Sequence, residues 1–115
     1  MLGYGLIVFA IAALGGIALA SFVLQGRLAP WPLSLLHAAL GAIGLLIVLY
    51  AALSMGISKA ALTALVILII AASGGFYLAS IHLRGKVAPK PIVFVHAGVA
   101  VIGFLTLLGV VFGAL

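Results

Sequence analysis

Leu2 to Leu24 runs for 23 residues without a charge, and the pattern recurs three times: Leu33 to Leu53 for 21, Ala60 to Leu83 for 24 and Ile92 to Leu115 for 24. About 20 apolar residues cross a hydrocarbon core of roughly 30 Å as a helix. A helix is the form in which such a segment pairs its own backbone groups inside lipid. The expected fold class is therefore an all-α integral membrane protein with four transmembrane helices, about 2–24, 33–53, 60–83 and 92–115. The first run lacks a basic leader and exceeds the roughly 7–15 apolar residues of a signal-peptide core, so it reads as a retained span.

Composition matters here for what it removes. The chain has no Asp or Glu and no Cys. No carboxylate side chain can act as general base, hold a hard cation or relay a proton. No thiolate can attack, bind zinc or hold an iron–sulfur cluster. No phosphate loop, nucleophile–base pair or HExxH motif occurs, so the expectation is a protein that is not an enzyme. The net charge of +5 comes from only five cations, which points to orientation and lipid headgroups rather than nucleic acid.

Short connections, QGRLAPWP (25–32), SMGISK (54–59) and RGKVAPKP (84–91), force neighbouring helices to run antiparallel. Two of these passages are twins: GRLAPWPLSLLHAA from Gly26 and GKVAPKPIVFVHAG from Gly85. At an offset of 59, 19 of the 39 positions from Ile11/Ile70 to Leu49/Leu108 are identical without a gap. The reading is a tandem duplication, 1–56 and 57–115, each half one helical hairpin. Two spans return the chain to its starting side, so the expected pseudo-twofold axis lies along the membrane normal. Gly26 and Gly85 stand where left-handed helix caps are common, and Pro32 and Pro91 where helices begin.

Arg27, Arg84, Lys86 and Lys90 lie in the first and third connections, against Lys59 alone in the second. The positive-inside rule then puts loops 25–32 and 84–91 in the cytoplasm and both termini outside, in what reads as a bacterial inner membrane. Trp31 sits where an interfacial aromatic belongs.

Small residues mark helix contacts in lipid. Ala12, Gly16 and Ala20 form such a stripe on the first span, and Ala71, Gly75 and Ala79 on the third. On the second and fourth spans, His37 and His96 fall at equal depth, roughly 7–8 Å into each helix. Helical spacing puts Gly41 and Gly44 below His37, and Ala100 and Gly103 below His96, so each imidazole tops a candidate groove. Two readings stay open. Each ring donates to a backbone carbonyl or a Ser/Thr hydroxyl across a helix contact, or the two rings face each other as axial ligands of a b-type haem. In the second case Arg27 and Lys86, with Arg84 or Lys90 at the same level, stand above as partners for the propionates. His82 has Val23 as its counterpart and reads as an interfacial side chain, with a quinone or headgroup contact as the minor alternative.

Helical hairpins with interior histidines resemble the haem-carrying membrane anchors of respiratory enzymes, in architecture and without a shared motif. The expected role is a small accessory subunit of a larger redox or photosynthetic membrane complex. Its partners would be the lipid bilayer and other membrane subunits or copies of itself, with a quinone or lipid as a further ligand. A haem-binding electron-transfer protein is the first alternative, and a passive channel or small-molecule transporter the second.

Overall fold

The computed structural model describes residues 1–115 and is all α. Its helices are α1 (Leu2–Leu24), α2 (Trp31–Ser54), α3 (Lys59–Leu83) and α4 (Lys90–Val111), each long and apolar enough to cross a membrane. α2 and α4 begin two residues before the apolar runs do, at Trp31 and Lys90 rather than Leu33 and Ile92. Pro32 and Pro91 fall inside the first turn, where a missing N–H removes no helical bond. α4 stops at Val111, short of the end of its apolar run at Leu115. Gly113 takes φ 77°, and the Ala114 N–H turns back to the Gly109 carbonyl at 2.7 Å, so backbone geometry ends the helix where composition gives no sign.

The same motif closes α1 and α3. Gly26 (φ 70°) and Gly85 (φ 72°) are left-handed. The N–H groups of Arg27 and Lys86 reach back to the Phe22 and Ile81 carbonyls at 2.8 and 3.2 Å. α3 starts on a side-chain cap, the Ser58 hydroxyl accepting from the Ala61 N–H at 3.1 Å.

The helices form a ring. α1 packs most extensively along α2 and α3 along α4; α1–α4 and α2–α3 contacts close it, while the diagonal pairs keep their backbones apart. The bundle measures 42 × 21 × 19 Å, close to a bilayer's roughly 40–45 Å with headgroups. Only 16 of 115 residues are buried, and side chains such as Leu53 (80% exposed), Phe76 (70%) and Leu14 (68%) coat the outside. Such a surface belongs in lipid.

The core is at one end. Leu6, Phe9, Val48, Leu65, Leu68 and Leu107 cluster in the half that carries the termini and the α2–α3 turn. Beyond Ala12 and Ala71, towards the basic turns, only Ile81 and Val93 are buried.

Candidate functional site

Both repeated histidines lie in that loosely packed half. His37 is six residues past the start of α2 and His96 six past the start of α4, or about 9 Å along each axis. The Nδ1–H of His37 donates to the Ala12 carbonyl of α1 at 2.8 Å, and the Nδ1–H of His96 to the Ala71 carbonyl of α3 at 2.8 Å. A carbonyl only accepts, so the proton of each neutral ring sits on Nδ1 and Nε2 keeps its lone pair. Neither Nε2 has a hydrogen-bond partner in the chain, and neither is sealed inside the bundle.

Glycines make this seat. A Cβ on Gly16 would lie 2.9 Å from His37 Cε1, and one on Gly75 would lie 3.1 Å from His96 Cε1. Each glycine follows its accepting carbonyl by one helical turn, and its bare face lets the ring lie flat enough to reach that carbonyl. The stripes Ala12–Gly16 and Ala71–Gly75 therefore do more than admit a neighbouring backbone. The signal for this was within the sequence. Gly16 lies ten residues before Gly26 and His37 ten after Arg27; Gly75 and His96 stand in the same relation to Gly85 and Lys86. Positions equidistant from a tight turn meet in an antiparallel pair.

Across the centre of the ring the two imidazoles come together. Their centroids are 6.3 Å apart with the planes at 90°, although α2 and α4 are diagonal helices whose backbones do not touch.

The expected grooves below the histidines have a different fate. A Cβ on Gly44 would meet the Phe9 ring at 2.8 Å, and one on Gly103 would meet Leu68 at 2.8 Å, so both glycines belong to the packed core and leave no open channel. Gly41 faces free space, with nothing within 4 Å of an added Cβ, and Ala100 is half-buried. Spacing put these residues on one face with the histidines; the facing helix decides which of them is filled.

Of the charged candidates, Arg27 lays its guanidinium 4.9 Å from the Phe22 ring centre and donates to Gln25 at 3.1 Å. Lys86 is exposed and makes no side-chain hydrogen bond in the chain. His82 does not join the histidine pair, and no three metal-ligating side chains cluster. Its ring stacks on Trp31, with centroids 4.4 Å apart and planes 2° from parallel, and its Nε2–H donates to the Ala29 carbonyl at 2.8 Å. It thus ties α3 to the first basic turn, a contact between residues 51 apart in sequence that no local pattern announces.

No family model matches the chain, and comparison with curated proteins and with solved structures finds no similar protein.

Proposed function

We propose that this chain is a membrane-embedded b-type haem protein that passes electrons, with His37 and His96 as the two axial ligands. One observation carries the reading: two imidazoles from diagonal helices, 6.3 Å apart, each pinned through Nδ1 with Nε2 free. Imidazole nitrogens bind such metals at about 2.0 Å, so ring centres 6.3 Å apart are of the size at which His37 and His96 would hold one metal between them. Metal-ligating histidines characteristically donate their other N–H to a carbonyl or carboxylate, which fixes the tautomer and the ring. Two protein ligands and no third suit a metal whose remaining positions a macrocycle fills. A purely structural histidine would leave the lone pair of Nε2 idle in an apolar half, for both rings alike. Arg27 and Lys86, in the turns above the pair, are the candidate counter-charges for propionates.

The connections between the spans are short and hold no room for a second redox centre, which supports electron partners on other polypeptides or lipid-soluble carriers. We therefore read it as a small subunit of a larger redox or photosynthetic membrane complex. The 59-residue offset supports duplication of one hairpin, with a pseudo-twofold axis along the membrane normal between the two histidines. Four cations against one support cytoplasmic basic turns and external termini in a bacterial inner membrane.

Absorption spectra of gently purified protein, oxidised and dithionite-reduced, test the proposal. The expected result is a Soret band with sharp reduced α and β bands, lost in both His37→Ala and His96→Ala. A featureless visible spectrum from protein expressed with ample haem would overturn it.

A further inference from the structure

The two basic turns occupy matching places and differ in charge. Arg84, Lys86 and Lys90 fall within seven consecutive residues of the α3–α4 turn; the matching residues of the α1–α2 turn are Gln25, Arg27 and Trp31. Arg27 is spent on Phe22 and Gln25, and Trp31 is stacked on His82. In the α3–α4 turn the Arg84 Nε–H donates to the Ser80 carbonyl at 3.3 Å, which leaves the outer guanidinium nitrogens without a hydrogen bond. Both lysine side chains are exposed and likewise make none. No carboxylate side chain exists to neutralise them.

We propose that the α3–α4 turn binds an anionic phospholipid whose headgroup carries two phosphates. Arg84 closes α3 and Lys90 opens α4. Packed neighbours stand roughly 8–10 Å apart, so the two cations flank a compact anion with Lys86 between them. Attraction to an anionic leaflet at large is served by cations spread round the rim. Three cations in one seven-residue passage, where the matching passage has one, fit a single dense charge. A zwitterionic headgroup brings its own ammonium and leaves them uncompensated. The site lies in the turn above the histidine pair and shares Lys86 with the proposed propionate contacts; Arg84 and Lys90, which the test removes, belong to the lipid site alone.

Native mass spectrometry of the full chain in detergent, with tetraoleoyl cardiolipin, dioleoyl phosphatidylglycerol or dioleoyl phosphatidylcholine added, tests it. Cardiolipin is expected to stay bound most tightly. The double variant R84Q/K90Q should weaken it about tenfold or more, and R27Q should change it by less than about twofold. Both changes lie in exposed turn positions, and circular dichroism checks that the helices persist. Retention of cardiolipin by R84Q/K90Q, or equal loss in R27Q, overturns the proposal. Equal binding of phosphatidylcholine also overturns it and leaves the patch to an acidic protein segment.

Discussion

At the end of the bundle that carries the termini, Gly44 receives the ring of Phe9 and Gly103 the side chain of Leu68. At the end that carries the basic turns, Gly16 receives the imidazole of His37 and Gly75 that of His96. The device is the same: a missing Cβ on one helix and a large side chain from the next. What fills the hole differs. Phenylalanine and leucine gain dispersion contact, and Val48 and Leu107 are sealed beside them at 0% exposure. Imidazole gains one hydrogen bond and keeps one nitrogen free. The first end uses its small residues for cohesion, and the second uses them to seat an imidazole with one nitrogen left unbonded.

Leu107→Ala should be the most damaging change to the bundle itself, at about 2–3 kcal/mol, because the hole it leaves is enclosed on all sides. Unfolding in mixed micelles of rising SDS fraction would measure this. At temperatures where the variant stays folded, its haem spectrum should match that of the parent. Loss of the spectrum from folded Leu107→Ala would mean that the two ends are one unit.

Gly16→Ala should do the reverse. Its Cβ would arrive 2.9 Å from Cε1 of His37, so the ring must swing away from the Ala12 carbonyl. The expected cost is about 1–3 kcal/mol of stability from overpacking. Haem retention should fall about tenfold, the lower range for loss of a partner that orients a ligand. Gly75→Ala, at 3.1 Å from His96, should fall short of this in both respects. Haem titration of the two variants side by side ranks them, and the opposite ranking would show that the close approach does not set the ring position.

These contrasts were legible in the sequence to different depths. The spans and their antiparallel order follow from hydropathy and loop length, and Gly26 and Gly85 cap their helices as their positions suggest. The start of α2 and the end of α4 depart from the apolar runs because such a run records solubility, whereas Pro32 and Gly113 act through backbone geometry. Placing both histidines at one level needed only the repeat. The role of Gly16 needed the register of α1 against α2, available by counting out from the turn but invisible to helical periodicity alone. The fate of Gly44 needed to know that Phe9, not a cavity, lies opposite. The Trp31–His82 stack depends on how α3 meets the first turn, and loop lengths do not specify it.

Gly41→Ala is the smallest change and separates two accounts of the histidine end. By spacing, Gly41 and Gly44 share a face with His37, but Gly44 is occupied by Phe9 while Gly41 has nothing within 4 Å of an added Cβ. If the ligand site stops at the rings, a methyl group there meets only open space. The helix then gains up to about 0.5–1 kcal/mol from replacing glycine, and haem retention is unchanged. The second hairpin argues for that outcome, since its matching position is already Ala100. If Gly41→Ala instead lowers haem retention as far as Gly16→Ala does, the space beside Gly41 belongs to the macrocycle. The site would then reach down α2 further than down α4, where Ala100 already fills the matching place.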